Sequence, residues 1–130
     1  MEATHRFREV RPSVAEALSS QSAKVRSAAV AVFNEANDIE AHDLVFALAR
    51  DRDIHVQEEV LEYLEQFPRE SDALFLLEKL VAREHLFLAS SALSRLCGGE
   101  GPLITEEEAN GLSEQVLAWE KVLRAKGLVA

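Results

Sequence analysis

The chain has 130 residues, 48% of them hydrophobic, and a formal net charge of −9. That apolar share excludes a disordered tail, and the length suits one domain able to bury roughly two thirds of its unfolded surface. The negative balance argues against nucleic acid as a partner, and the single cysteine, Cys97, excludes an internal disulfide and a thiolate metal cage. The predicted elements are helices throughout, because Gly and Pro are few and fall between apolar stretches.

In chain order, Pro12 suits a first helical turn or a kink, and Val14, Ala17 and Leu18 give a short apolar stripe. Ser19 to Ser22 form a turn, and Ser22 is placed to N-cap a helix from 23 to about 36. Leu44, Val45 and Leu48 mark the next helix, and the charged run Arg50-Asp51-Arg52-Asp53 marks its turn. Asp53 is the expected N-cap of a helix carrying Val56, Val60, Tyr63, Leu64 and Phe67, which Pro68 stops. Leu74, Leu77, Leu80 and Val81 belong to a further helix. Leu88, Ala92, Leu93 and Leu96 belong to the one after it, which ends at Gly98-Gly99. Gly98 to Pro102 reads as a linker. Thr105-Glu106-Glu107-Glu108 is a capping-box pattern, and Ser113 opens a final helix with Val116, Trp119 and Leu123 on one face.

Three of these helices share a spacing. Val25, Ala29 and Phe33 are followed by Val56, Val60 and Leu64, then by Leu88, Ala92 and Leu96, with offsets of 31 and 32 residues between sets. Steps of four put each set on one helical face, and a unit returning at this period predicts a helical solenoid. The opening Ser22-Ala23-Lys24-Val25-Arg26-Ser27-Ala28-Ala29 resembles the second helix of HEAT repeats, whose pattern is D-x-x-V-R-x-x-A. Asp53-Ile54-His55-Val56-Gln57-Glu58-Glu59-Val60 keeps the Asp and the Val. In the third unit His85 stands for the Asp and Leu88 for the Val, with Ala92 kept. The resemblance implies an all-α, short HEAT-like α-α superhelix in a single domain, residues 1–130. Three stacked antiparallel helix pairs are expected over 12–99, with C-terminal capping helices over 100–130.

Chemistry is sparse. His5, His42, His55 and His85 are scattered, and Asp51, Asp53 and His55 alternate around a turn where ligands converge poorly, so no metal site and no cofactor are expected. Cys97 lies at a helix C-terminus, whose negative pole disfavours a thiolate. Gly98, Gly99 and Gly101 lack the Gly-Lys-Ser/Thr ending of a phosphate loop. Of the enzyme kinds with related repeats, deoxyhypusine hydroxylases place His-Glu dipeptides around iron, whereas this chain has only the reversed Glu84-His85. No motif of the bilin lyases stands out. A non-enzyme is expected.

The charge is uneven. Residues 27–84 hold five Lys/Arg against fourteen Asp/Glu, a net of −9, while residues 1–26 hold five against three. Glu58, Glu62 and Glu65 follow at steps of four and three, opposite Val56, Val60 and Leu64, and the pair Glu58/Glu62 is repulsive. Matching positions in the neighbouring repeats are small: Ser27 and Ala31 before, Ser90 and Ser94 after. The expected partner-binding surface is therefore Glu58, Glu62 and Glu65 bordered by Ser27, Ser90 and Ser94. In HEAT-like arrays second helices line the concave binding side, so the resemblance puts this ridge there. The expected partner is a basic protein, with no nucleic acid and no membrane. Size and charge are similar to those of small bacterial immunity or antitoxin proteins that neutralise a basic toxin or effector. A scaffold or regulatory subunit is the alternative, including a homodimer through an uncapped repeat face. Trp119, Tyr63, Phe87 and the cluster Arg6, Arg8 and Arg11 are candidate anchors, with core packing the default for the aromatics. The start lacks an apolar run fit for a secretory signal, and no stretch approaches membrane-spanning length, so a cytoplasmic protein is expected.

Overall fold

A computed structural model describes residues 2–105 and 111–130, with side chains from Phe7 onward. All regular structure among the described residues is helical, as expected for the all-α class. The chain divides into two compact units, Met1–Tyr63 and Leu64–Ala130.

In the first unit α1 (Glu2–Ala17) runs through Pro12 and does not start there. The segment before the proline has its own anchors: Phe7 meets the Phe33 ring edge-on at 5.8 Å, and Arg11 Nε donates to Asp38 Oδ2 at 2.6 Å. α2 (Ala23–Glu35) follows, its first turn capped by Ser22 Oγ, which accepts from the Val25 N–H at 3.3 Å. Its buried face carries Arg26, Ala29, Val30 and Phe33. Val25, expected there, is 43% exposed. The face is rotated by one residue because Arg26 turns inward and grips Asp51 with two hydrogen bonds, 2.9 and 3.1 Å. The same guanidinium donates to the carbonyls of Ser20 and Gln21, so the turn before α2 is tied to the turn before α4.

Asn37, with φ of 55°, ends the α2 stretch, and the Asp38 N–H returns to the Phe33 carbonyl at 3.1 Å. A 3-10 turn at Ile39–Ala41 leads into α3 (His42–Phe46), which is only five residues long. The predicted stripe Leu44-Val45-Leu48 is therefore split: Val45 is buried, Leu44 is exposed, and Leu48 lies beyond the helix. α4 (Ile54–Gln66) is capped as expected, since Asp53 Oδ1 accepts from the N–H groups of His55 (2.9 Å) and Val56 (3.1 Å). Val56, Val60, Tyr63 and Leu64 are all fully buried. The Tyr63 hydroxyl donates to the Asp38 carbonyl at 2.5 Å.

The second unit takes the last turn of α4 and a 3-10 turn at Glu70–Asp72, then α5 (Ala73–Val81), α6 (Leu86–Leu96) and α7 (Leu112–Ala125). α5 packs against both α6 and α7. Its Phe75, Leu76, Leu77 and Leu80 are buried with Ala89, Ala92 and Leu93 of α6 and with Trp119 and Leu123 of α7. In the third set Ala92 is fully buried, while Leu88 and Leu96 are half-buried. His85 takes the cap position in left-handed backbone and makes no side-chain cap, the physical cost of losing the aspartate. α7 begins after Gly111, one residue before Ser113. The capping box at Thr105–Glu108 reaches residues 106–108, which lie outside the described residues, as does any partner helix it would open.

Candidate functional site

α4 carries the acidic surface. Its buried row of valines and Leu64 leaves Glu62 exposed and Glu58 half-buried one turn apart in the first unit. Glu65, half-buried, sits on the last turn and belongs to the second unit. His55 Nδ1 lies 3.9 Å from Glu58 Oε2, so Glu58 has a neighbour able to carry positive charge on its own helix.

A further carboxylate, not anticipated from the i,i+4 row, completes the surface. The Glu59 carboxyl is pushed above its ordinary value, first by burial and then by the negative charges of Glu62, Glu35 and Glu58, with a hydrogen bond to Glu62 adding to the shift. Glu35 comes from α2, where it continues the row Ser27-Ala31-Glu35 at steps of four. The small-residue shoulder expected beside the ridge thus ends in another acid. The sequence signals were the i,i+3 spacing of Glu59 and Glu62 and that same α2 row.

Ser27 is half-buried on α2, and Ser94 is half-buried on α6, where its carbonyl accepts from the Gly99 N–H at 2.7 Å. Ser90 is a correction. It is fully buried, its Oγ donates to the Phe87 carbonyl at 3.1 Å, and it accepts from the Ile104 N–H at 2.9 Å. A small hydroxyl there fastens the loop after α6 and offers nothing to a partner. Ser27, Glu58 and Glu62 therefore share the first unit, while Glu65, Ser90 and Ser94 lie in the second.

The anchors sort cleanly. Tyr63 and Trp119 are fully buried core, whereas Phe87 is 48% exposed. Arg11 is engaged by Asp38 and stacks over Phe33 at 5.6 Å, Arg8 is exposed, and the Arg6 side chain lies outside the described ones. Asp51 and Asp53 serve backbone and Arg26, as above. The Cys97 thiol is buried, and that burial pushes its pKa up, away from thiolate. Among the described residues no three His, Cys, Asp or Glu side chains gather as a group fit to hold a metal ion.

The family model described as HEAT repeats matches residues 9–96, more than half of the chain. The chain belongs to the HEAT-repeat family. No curated protein and no solved structure matches it. HEAT repeats suggest a protein-interaction or scaffold module, a fold that is generally non-catalytic. The HEAT signature has a structural use in the first unit. Arg26 takes the Asp51 carboxylate, and Gln57, which replaces the second repeat's arginine, donates its side-chain amide to the Asp51 carbonyl. No helix among the described residues is long and apolar enough to cross a membrane.

Proposed function

We propose that this HEAT-repeat protein is a non-catalytic cytoplasmic binding protein whose acidic α4 surface takes a basic protein partner. Its most concrete form is an immunity- or antitoxin-like inhibitor of a basic toxin or effector. The observation that carries this reading is the crowding of Glu35, Glu58, Glu59 and Glu62, which raises the Glu59 carboxyl. Like charges held together on a folded surface cost free energy. A basic side chain arriving there reverses each of those charge effects, and complementarity of this kind speeds encounter and excludes wrong partners. Ser27, half-buried on α2 in the first unit, is retained as a small position of the proposed surface.

The test has two stages. Capture from the native cell identifies the bound protein, and association kinetics then compare wild type with the Glu58→Gln/Glu62→Gln/Glu65→Gln variant at two salt concentrations. The variant is expected to fold normally, because Glu62 is exposed, Glu58 and Glu65 are only half-buried, and glutamine keeps their volume while relieving the Glu58/Glu62 repulsion. It is expected to associate more slowly, and wild-type association is expected to slow as salt rises to about 0.15 M, where charge reaches only roughly 8 Å. Equal rates for both proteins at both salts would refute the basic-partner reading. A scaffold or regulatory subunit is the second reading, favoured by Phe87, Val81 and Leu117, which are 48%, 62% and 63% exposed and lie off α4.

A further inference from the structure

The arginines of α1 meet the turn after α2 around a hollow that none of the α4 glutamates lines. Phe7, Arg8, Arg11, Asp38, Ile39 and Glu40 border it, all within the first unit, and its volume is about 250 Å³. That is the liquid volume of about eight waters at ~30 Å³ each, room for a molecule of amino-acid size.

The fold fixes the walls. The Asp38 carboxylate accepts from Arg11 Nε, its N–H donates to the Phe33 carbonyl, and its own carbonyl accepts from the Tyr63 hydroxyl. Arg11 stacks over the Phe33 ring, and Phe7 meets the same ring edge-on. Ile39 is 59% exposed, so with Phe7 it gives the hollow apolar surface beside its charges, the usual composition of a small-molecule site.

Two charges are left over. Arg8 and Glu40 are exposed, and neither side chain has a hydrogen bond or ion pair among the described residues. They border one hollow and carry opposite sign, yet they do not meet. Together with Arg11 and Asp38 they give the lining two charges of each sign, so a simple anion or a simple cation finds no net attraction there. A ligand that carries both signs satisfies Arg8 and Glu40 at once.

We infer that this hollow binds a free α-amino acid with an apolar side chain. Arg8 takes the carboxylate, Glu40 takes the ammonium group, and the side chain lies against Phe7 and Ile39. The planar guanidinium matches a carboxylate with paired hydrogen bonds, and hydrogen bonds between ionised groups are the strong ones. A residue inside a polypeptide lacks both charges and does not fit.

Titration of the isotope-labelled full chain with L-leucine up to about 20 mM, followed by amide chemical shifts, tests the site. Shifts are expected to gather at residues 7–11 and 36–40 and to saturate with a dissociation constant of about 1 mM. Isocaproate lacks the ammonium group, isoamylamine lacks the carboxylate, and glycine lacks the side chain. Each should bind about tenfold more weakly than leucine. Glu40→Gln should weaken leucine about tenfold and leave isocaproate no weaker, whereas Arg8→Gln should weaken leucine and leave isoamylamine no weaker. The comparison of ligands on wild type decides the matter even if a variant fails to fold. The proposal is overturned by an absence of shifts at about 20 mM leucine, by isocaproate or isoamylamine binding as tightly as leucine, or by a folded Glu40→Gln chain that binds leucine like wild type.

Discussion

Trp119 shows how one residue draws on its neighbours. It is fully buried, its indole N–H donates to the Pro102 carbonyl at 2.7 Å, and its ring lies against Gly101, where an added Cβ would stand 2.3 Å from the ring edge. Gly101 also has φ of +90°, a conformation closed to other residues without strain. Steric room and backbone freedom both demand glycine here. Gly101→Ala should therefore cost more than about 1 kcal/mol, since an alanine where φ is positive destabilises beyond the ordinary backbone effect. Chemical unfolding followed by Trp119 fluorescence measures it, and a midpoint equal to wild type would show that the ring does not pack on this backbone. Ser90 fastens the same loop two residues on, through the Ile104 N–H. A linker was legible in the glycines. The tie to Trp119 was not, because a contact across 17 residues leaves no local pattern.

At the scale of helices, α2 and α4 repeat the same four-residue spacing yet bury it differently. Both caps were legible, because Ser22 and Asp53 have the chemistry an exposed first turn needs, and so was the face shared by Val56, Val60 and Leu64. Periodicity says which residues share a face, but it does not say which face turns inward. In α2 the hydrogen bonds of Arg26 to Asp51 decide that, and Val25 is left outside. The paired test follows from burial. Leu64→Ala should cost about 2–5 kcal/mol, as a fully buried leucine does. Val25→Ala, at the start of the corresponding row, should stay within about 0.5 kcal/mol. Equal losses in urea unfolding would mean the two rows are equivalent after all. The acidic surface divides the same way: Glu58 and Glu62 were readable as an i,i+4 pair, whereas Glu59 required the position of Glu35 on another helix. Ser90 misled because a small hydroxyl suits a buried latch as well as an open shoulder.

Across the whole molecule the excess of acid makes stability depend on pH through groups of opposite sign. The Asp51 carboxyl is held below its ordinary value, chiefly by the Arg26 hydrogen bonds. Its contribution is complete above the unfolded value of about 3.9 and is lost as pH falls through the folded one. Glu84 behaves likewise beside Lys79, but it is half exposed and solvent weakens its share. Glu59 works in the other direction. Its folded pKa is raised, so the folded state holds the proton more tightly, and stability declines as pH rises from the unfolded value of about 4.3 through the folded one. Stability is thus eroded through Asp51 as pH falls below about 3.9 and through Glu59 as pH rises above about 4.3. Glu59→Gln mimics the protonated form and should raise the thermal midpoint at pH 7, with the gain vanishing below about pH 4, where wild type is itself protonated in both states. Asp51→Asn should lower the midpoint at pH 7 and flatten the acid side, because the charge that Arg26 binds is gone. Thermal melts of the three proteins from pH 3 to 8, followed by circular dichroism, read both effects. A Glu59→Gln curve running parallel to wild type at every pH would mean that Glu59 is not crowded by Glu35, Glu58 and Glu62, and the acidic surface would then lack the stored repulsion on which a basic partner acts.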